Sequence, residues 1–357
     1  MELSMKLLLL SRYSRLGASS RLRYYQYLPY LQSQGVEVTV SPFFDDAYLM
    51  GLYAGQKTRW WNIVKGYLRR VAELLRSRQY DLIWLEKELF PWLPAIVETC
   101  VRRSGIPYVV DYDDAIFHRY DAHPNPLLRT FLAHKIDVVM RRAAMVVTGN
   151  DYLADRARSA GAKRIEYLPT VIDLNRYEIR REHEGNPFTV GWVGTQVTVN
   201  YLNKVASALA DVAAKRRVKL VAVGPQRMIL DNLPIEVLPW SEETEVERIC
   251  DFDVGIMPLH DDLWERGKCG YKIIQYMACG IPVIASPVGV NRKIVEHGCN
   301  GFLASTHSEW VNYLLILADD RRLARQMGEA GRGKVEREYC LQVTAPKLIK
   351  LMRQIVR

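Results

Sequence analysis

Short apolar runs typical of buried strands alternate with helical patterns along most of the 357-residue chain. A strand, a helix and a further strand form a βαβ unit, and repeated units predict a mainly parallel sheet covered by helices. The first series has strands at 6–13, 36–43, 80–86, 106–112 and 143–150, and helices at 21–35, through Val97, and at Leu127–Arg142.

The pattern restarts after EIRREHEGNP at 178–187, a polar segment that ends in Asn-Pro and has the composition of a linker. Two such series predict an α/β protein of two Rossmann-like domains, 1–183 and 184–342, with both ligand surfaces at one interdomain cleft. The second series has strands at 188–195, 218–225, 235–240, 252–259 and 281–287, and helices at Tyr201–Ala214, up to Cys250 and at Tyr271–Cys279.

The composition, 49% hydrophobic and 25% charged, is that of a globular protein. The net charge of +9 is concentrated in residues 1–183 and suits an anionic partner, but no helix-turn-helix, zinc or RNA-binding motif accompanies it, so nucleic acid is not expected. Six cysteines without metal-ligand spacing predict reduced thiols and no metal site. No apolar run approaches the length of a membrane span, which predicts a cytoplasmic location.

The stretch WERGKCGYKIIQYMACGIPVIASPVGVNRKIVEHGCNG at 264–301 carries the most specific pattern in the chain. It resembles the donor-binding core of glycosyltransferase family 4, of the bacterial group 1 type, and GWVG at 191–194, VAVGP at 221–225 and DVGIMPL at 253–259 extend the resemblance. The resemblance implies a retaining, metal-independent hexosyltransferase of GT-B fold. Its substrate would be a nucleotide-sugar such as a UDP- or GDP-sugar, with no separate cofactor, and the helix at 343–357 would return to the first domain.

A flexible cationic loop, Gly267–Gly270, leads directly into a helix within this stretch. Backbone N–H groups and the helix dipole can therefore face a diphosphate. Lys268 and Lys272 are four residues apart and Gln275 is three further on, so a helix that starts early would place them on one face. We expect both ammonium groups on phosphate oxygens and the amide on a ribose hydroxyl. The alternative is that both lysines are solvated surface charges.

The chain departs from the family pattern at its donor site. Gly267 and Gln275 stand where many members carry two glutamates, and Thr195 and Gln196 follow Gly194 where many members have an arginine. We infer that positive charge has moved from that loop to the lysine-bearing loop. An amide still serves a ribose hydroxyl, because it both donates and accepts hydrogen bonds.

Two further segments are expected to contact the donor. The loop at 11–23 joins the first strand to the first helix, and Gly17 could let its backbone approach the donor phosphates while Arg21 or Arg23 supplies charge. The alternative is an ordinary turn. The backbone around Trp240 is expected to meet the nucleotide base.

Carboxylates cluster after two predicted strands of the first domain. Asp113, Asp114 and His118 follow one strand, and Glu86 ends another, with Glu88 two residues later, so all are expected to face the acceptor. Many family members have His-Asp where Asp113 and Asp114 stand, so a histidine role does not carry over. Mutual repulsion could keep one carboxylate protonated. The alternative is that some of these acids cap the following helix.

Retaining transfer of this type implies a front-face displacement in which the leaving diphosphate helps to deprotonate the incoming hydroxyl. No protein nucleophile is required, and the protein stabilises the charge that develops on the leaving group. Lys268 and Lys272 are the candidates for that task, and Asp113 is the candidate for positioning the acceptor.

A helix is also predicted within residues 57–80, where Trp61, Val64, Leu68, Val71 and Leu75 share one face beside a basic flank. Such a helix could lie on an anionic membrane, at the inner face of the plasma membrane, which would suit a saccharide or lipid-linked acceptor of cell-envelope glycan synthesis. Alternatively, its apolar face packs on its own sheet.

Other functions fit the same two-domain architecture. A sugar-nucleotide epimerase or hydrolase would bind the same donor, and the missing glutamates also allow a scaffold without catalysis. A glycosidase is not expected, because no pair of acids stands out as the two that its chemistry requires.

Overall fold

The computed structural model describes residues 5–53, 55, 60–99, 105–179, 187–226, 228, 230 and 233–356. The chain divides into two compact units. The first comprises Met1–Thr170, Gly267–Cys269 and Thr344–Arg357, and the second comprises Val171–Arg266 and Gly270–Val343. Most of the expected linker, 180–186, with the boundary after residue 183, lies outside the described residues. Val171–Ile179 packs with the second unit, where Ile172 pairs with Cys340 as an isolated parallel bridge.

The first unit is built on a six-stranded sheet in the order β2-β1-β3-β4-β5-β6, and all its pairings are parallel. Its central strands are apolar on both faces because helices cover both sides, as in other parallel sheets. The core therefore runs through Leu7–Leu10, Leu82–Leu85 and Val109–Val110, all fully buried. The strands are β1 Met5–Leu10, β2 Val36–Val40, β3 Leu82–Glu86, β4 Tyr108–Tyr112, β5 Met145–Thr148 and β6 Ile165–Tyr167.

Two helices predicted in the first unit are interrupted. The segment 21–35 is divided at Tyr24, whose buried ring packs on Trp84, and a 3-10 turn at Tyr25–Tyr27 follows. The segment Leu127–Arg142 breaks at Ala133–His134. The helices are Ala18–Arg23, Leu28–Ser33, Asp46–Tyr53, Trp60–Leu75, Ala95–Glu98, His118–Asp121, Pro126–Leu132, Lys135–Arg142 and Asp151–Ser159. The helix Leu341–Val356 contributes Thr344 onward, and the Thr344 and Tyr27 hydroxyls lie 3.0 Å apart.

The second unit has a parallel sheet of the same size in the order β12-β11-β10-β7-β8-β9. Its strands are β7 Phe188–Val193, β8 Val218–Val223, β9 Ile235–Leu238, β10 Val254–Met257, β11 Val283–Ala285 and β12 Gly301–Leu303. Its helices are Asn200–Asn203, Ala206–Lys215, Glu245–Cys250, Leu263–Arg266, Tyr271–Ala278, Asn291–Ile294, His307–Asp319 and Arg321–Glu338. The predicted α/β class with two Rossmann-like units is confirmed.

In each sheet the chain adds strands first on one side of its starting strand and then on the other. This reversal of strand order lies between β1 and β3 in the first unit and between β7 and β10 in the second. At such a point the connections leave to opposite faces of the sheet, and a crevice opens beyond the carboxyl ends of the two strands. The loops after β1, β3, β7 and β10 are therefore expected to border any ligand that each unit binds, together with the loops of the neighbouring strands.

The helix Trp60–Leu75 does not bury the apolar stripe that the sequence predicts. Leu68 is 66% exposed and Leu75 is 80% exposed, and Trp61 and Val71 are exposed as well. The alternative that the stripe packs on its own sheet is therefore wrong. The buried side of this helix holds Gly66 and Arg70 instead.

Neither a membrane span nor a disulfide is present in the described part of the chain. No helix there is both long and apolar enough to cross a bilayer. The five cysteines there form no disulfide, and Cys100 lies outside the described residues.

Two glycines of the helix Arg321–Glu338 give opposite predictions for substitution by alanine. A Cβ at Gly328 would lie 1.9 Å from the backbone oxygen of Gly280, whereas a Cβ at Gly333 would meet only the far end of Arg337. We expect Gly328→Ala to lower the free energy of unfolding by about 1–3 kcal/mol through overpacking. Gly333→Ala should raise it by about 0.5–1 kcal/mol, because alanine restricts the unfolded chain.

Urea unfolding followed by circular dichroism measures both changes. Equal effects of the two substitutions would contradict the close packing of this helix against Gly280.

Candidate functional site

The loops after β1, β3 and β4 bring a buried polar network together in the first unit. The Lys87 ammonium lies 2.8 Å from Oδ1 of Asp113 and 3.8 Å from Oδ2 of Asp114. It also donates to the Ser19 hydroxyl at 3.2 Å, and that hydroxyl donates to Oδ2 of Asp113 at 2.5 Å. One cation therefore serves two carboxylates at the edge where a ligand of a parallel sheet binds.

Lys87 occupies this position at a conformational cost. Its φ is +64°, in the left-handed region that non-glycine residues rarely adopt. Its side chain is buried, and the nearby carboxylates raise its pKa above the ordinary range although burial alone would lower it. A strained backbone that carries a buried charge is a feature concentrated at functional sites.

The two neighbouring carboxyls of this network differ in protonation. Burial would raise the pKa of Asp113, but the Lys87 ammonium and the Ser19 hydroxyl outweigh burial and lower it. Burial and then repulsion from Asp113 raise the pKa of Asp114 to about 6, against the attraction of Lys87 and Lys268. Asp113 is therefore held as an anion, and Asp114 gains or loses its proton near pH 6.

Glu86 and Glu88, which were expected to face the acceptor, are both buried within the first unit. Oε2 of Glu86 accepts from the Arg12 amide at 2.7 Å and from the Ser20 hydroxyl at 2.6 Å. Glu88 pairs with Arg12 at 3.0 Å and with Lys135 at 2.8 Å. Because both carboxylates are buried and bonded to the protein, the structure assigns them to holding the β1 and β3 loops together.

Asp111 and His118 are also engaged within the protein. Arg23 donates to one oxygen of Asp111 through Nε at 3.0 Å and Nη2 at 2.8 Å, and both residues are buried. Arg23 is therefore a structural cation, not a phosphate ligand. His118 has Nδ1 on Asp121 at 2.8 Å and Nε2 on the Tyr152 hydroxyl at 2.7 Å. A bond from His118 to an acceptor would have to replace one of these.

Gly17 has a packing role in the loop after β1. A Cβ there would lie 2.5 Å from the Cβ of Tyr13, so the turn closes only with glycine at this position. The expected approach of its backbone to a phosphate stays a prediction.

The lysine-bearing loop is fixed by its backbone. The Asn150 side chain donates to the carbonyls of Gly267 at 2.8 Å and Lys268 at 3.0 Å, and the Cys269 thiol contacts the carbonyl of Asp113 at 3.1 Å. A Cβ at Gly267 would lie 2.5 Å from that of Ala115. Glycine in place of the family's glutamate thus permits a close backbone approach. Lys268 is half-buried, and its charge acts on Asp114.

In the second unit the loops after β7, β8 and β9 converge. Gly224, with φ +110°, follows β8, and a Cβ on it would lie 2.1 Å from the carbonyl of Gly194, which follows β7. The same atom would lie 3.5 Å from Trp240, which follows β9 and whose indole donates to Glu245 at 2.7 Å. Thr195 and Gln196 are exposed beside Gly194, and the Gln196 side chain accepts from the Gln226 amide at 3.0 Å. These residues form a backbone-lined edge.

The helix Tyr271–Ala278 begins beside this edge. Its N-cap, Gly270, has φ +66° and provides no side-chain cap. The Lys272 ammonium lies 4.6 Å from the centre of the Trp192 ring, at the end of β7. Because the helix begins at Tyr271, Lys268 precedes it, and the condition under which both lysines share one helical face is not met.

Gln275 is buried in this helix and donates through its amide nitrogen to the Tyr177 hydroxyl at 2.9 Å. The Tyr177 hydroxyl is in turn 3.3 Å from that of Tyr271. A ribose contact of Gln275 stays a prediction, and the structure gives its nitrogen a protein partner instead.

Neither Lys87 nor Asn150 was predicted from the sequence as a site residue, and the bond from the Ser19 side chain to Asp113 was not predicted either. Asn150 resembles an ordinary helix N-cap, and its oxygen does accept from the Leu153 amide, while its nitrogen binds the lysine-bearing loop. The sequence Glu-Lys-Glu at 86–88, where β3 ends, was the available signal for Lys87. A lysine next to a buried strand needs a carboxylate partner if its charge is buried as well.

Models of two families match the chain. Residues 9–170 match the glycosyl transferase 4-like domain, and residues 187–320 match the glycosyl transferases of group 1. The two matches correspond to the two sheets and include Lys87, Asp113, Lys268 and Lys272.

Similar proteins include curated relatives and a solved structure. The chain is 26% identical over 152 residues to N-acetyl-alpha-D-glucosaminyl L-malate synthase of Bacillus anthracis, which covers 40% of this chain and 39% of the relative. It is 24% identical over 243 residues to D-inositol 3-phosphate glycosyltransferase of Pseudarthrobacter chlorophenolicus, which covers 58% of this chain and 54% of the relative. The matches thus span about half the length of these relatives or less. HepE of Anabaena in complex with UDP superposes with a TM-score of 0.70 at 16% identity, over 98% of this chain and 100% of HepE.

The coupling between the two aspartates can be tested without a substrate. Carboxyl carbon-13 shifts should show Asp114 titrating near pH 6 in the unchanged protein. In Asp113→Asn the pKa of Asp114 should fall by about one unit or more, because the neighbouring negative charge is removed. Lys87→Met should move it upward. The same titration midpoint in all three proteins would contradict the network.

Proposed function

Because the chain belongs to the group 1 glycosyltransferases and has two Rossmann-like domains of GT-B type, we propose that it transfers a sugar from a nucleotide-sugar to an acceptor hydroxyl. One observation carries the proposal. The loops after β7 and β8 approach through glycine backbone next to the uncapped first turn of the helix Tyr271–Ala278. A diphosphate fits such an edge, because backbone N–H groups at a helix N-terminus and the helix dipole attract negative charge.

The donor that we propose is a UDP- or GDP-sugar. HepE of Anabaena, which shares the fold, has been crystallised in complex with UDP. The backbone around Trp240 is our candidate for the base, and Gly194, Thr195 and Gln196 are candidates for the diphosphate and sugar.

We further propose that transfer retains the anomeric configuration and needs neither a metal ion nor a cofactor. In this mechanism the charge that develops on the leaving diphosphate must be stabilised by fixed groups of the protein. We assign two such charges to Lys268, in the lysine-bearing loop, and to Lys272, in the first turn of the helix Tyr271–Ala278, whose ammonium lies over the Trp192 ring.

The acceptor hydroxyl is assigned to the polar network of the first unit. Asp113 is held ionised by Lys87 and Ser19, which leaves little freedom for it to take a proton. Asp114 is a third exposed at its side chain and is therefore the carboxylate that can reach an acceptor. We propose that Asp114 accepts a hydrogen bond from the acceptor, and that Asp113 and Lys87 keep it oriented.

The proposed setting is cell-envelope glycan or lipid-linked saccharide synthesis at the inner face of the plasma membrane. The support is the helix Trp60–Leu75, whose apolar stripe is exposed next to basic side chains. An amphipathic helix of this kind can bind the surface of an anionic bilayer.

Donor binding gives the first test. UDP or GDP should raise the melting temperature of the unchanged protein, because a ligand that binds only the folded state stabilises it. Lys268→Ala should weaken binding of the effective nucleotide about tenfold, since a charge-assisted hydrogen bond is lost. Lys215→Ala, which removes an exposed lysine at the end of the helix Ala206–Lys215, is the matched control and should leave affinity unchanged.

The outcomes separate the alternatives. No stabilisation by either nucleotide would point to a scaffold without catalysis. Labelled sugar that appears on water alone, or stays on the nucleotide in altered form, would favour a hydrolase or an epimerase. Unchanged affinity in Lys268→Ala would remove the role given to that lysine.

The pH dependence of transfer tests the acceptor site. Below its pKa of about 6, Asp114 is protonated and no longer accepts a hydrogen bond as a carboxylate, so kcat/KM should fall as the pH is lowered through 6. Asp114→Asn should lower kcat/KM at pH 7.5 by roughly tenfold to a hundredfold and abolish the acidic limb. Steady-state kinetics with the donor that gives the largest thermal shift measures both. An acidic limb that persists in Asp114→Asn would contradict the assignment.

A further inference from the structure

A concave apolar groove of about 900 Å³ runs alongside the helix Trp60–Leu75. Val64, Leu68, Val71 and Leu75 form one wall, and Phe90 and Leu93 lie opposite. The groove is thus built within the first unit, from the helix before β3 and the loop after it. Its size is that of a ligand pocket rather than of a packing defect.

The helix cannot relieve this exposure by turning about its axis. A Cβ at Gly66 would lie 2.7 Å from the carbonyl of Phe43, and the buried guanidinium of Arg70 donates to the carbonyl of Ser11 at 2.8 Å. These contacts hold one face inward and force the apolar stripe outward. Continuous exposed apolar surface of this extent is a mark of an interaction site.

The lining of the groove selects a hydrocarbon occupant. Its one hydroxyl, on Tyr67, already donates to the carbonyl of Pro91. A protein partner would normally exchange hydrogen bonds across such a contact, whereas an acyl chain requires none. The stacked rings of Trp60 and Trp61 are exposed beside the groove, in the position that suits the headgroup layer of a bilayer.

Charge at the rim selects an anionic lipid. Arg78 lines the end of the groove, and Arg76 is exposed next to it. In the part of the chain that the structure describes, neither guanidinium forms an ion pair with a carboxylate. Long basic side chains of this kind cover apolar surface with their stems and present their charge to phosphate headgroups.

We propose that the groove binds one acyl chain of an anionic bilayer lipid, with the lipid phosphate at Arg76 and Arg78 and the two tryptophans in the headgroup layer. The proposal specifies how the first unit attaches to a membrane. It rests on the proposed peripheral location but on no part of the proposed sugar transfer.

Cosedimentation with vesicles gives the first test. The protein should bind vesicles of equimolar phosphatidylglycerol and phosphatidylcholine at least tenfold more tightly than vesicles of phosphatidylcholine alone. Leu68→Glu should weaken binding to the mixed vesicles at least tenfold, because a carboxylate would replace a groove wall. Leu127→Glu is the matched control, since Leu127 is 68% exposed, lies in the same unit and does not line the groove. It should change binding less than twofold.

The position of the chain is tested by crosslinking. Phosphatidylglycerol with a photoreactive group in its acyl chain should label Leu93 and Val97 on the inner wall, as mapped by mass spectrometry. Labelling confined to Trp61 and Leu68 would show surface adsorption and would overturn the groove assignment. Arg78→Gln should remove most of the preference for the anionic vesicles.

Equal effects of Leu68→Glu and Leu127→Glu, or no vesicle binding at all, would also overturn the proposal. Stabilisation by UDP or GDP, measured on the same variants, keeps the two proposals apart. Vesicle binding without nucleotide binding would support the lipid groove and contradict the proposed sugar transfer. Nucleotide binding without vesicle binding would contradict the groove and support the sugar transfer.

Discussion

Parallel pairing of the strands determines which residues of this protein come together at the ends of its sheets. In both sheets every strand points the same way, so every loop that follows a strand leaves from the same edge. Ser19, Lys87 and Asp113 are far apart in the chain, yet they meet because they follow β1, β3 and β4. Gly194, Gly224 and Trp240 meet after β7, β8 and β9 for the same reason. The polar side chains and the glycine backbone of each unit thus lie at one edge of its sheet, and the apolar strands fix their positions.

The first unit has a network of buried ion pairs at that edge. Desolvation of several ionised groups is costly, and the cost is offset only where each charge has a partner at hydrogen-bonding distance. Glu88 meets this condition through Arg12 and Lys135, and Asp113 meets it through Lys87. Asp114 is the exception, because it shares Lys87 with Asp113, which lies closer to the ammonium. The incompletely paired carboxyl is the one left for a substrate, which connects the electrostatics of the fold to the proposed acceptor site.

Strand positions and fold class could be predicted from sequence because buried parallel strands are short continuous apolar runs. The edge strands β6 and β12, at Ile165–Tyr167 and Gly301–Leu303, were missed because neither lies in a longer apolar run, whereas the equally short β11 lies within IPVIASP at 281–287. The break at Tyr24 was missed because it depends on packing against Trp84, which lies far along the chain.

The candidate site was predictable by region and less so by role. Asp113, Asp114 and Lys272 lie at strand ends or a helix start, as chain order indicates. Whether an acid faces solvent or a buried cation depends on tertiary partners, and for this reason Glu86 and Glu88 were misassigned. The outward stripe of the helix Trp60–Leu75 has the same origin, since its inward face is decided by Phe43 and Ser11.

A crystal structure with bound UDP would locate the donor site. The account predicts the diphosphate against the glycine backbone after β7 and β8, within hydrogen-bonding distance of the first-turn amides of the helix Tyr271–Ala278 and of the Lys272 ammonium. A diphosphate bound at any other place, or Lys272 directed away from it into solvent, would contradict the claim that this edge of the sheet is the donor site.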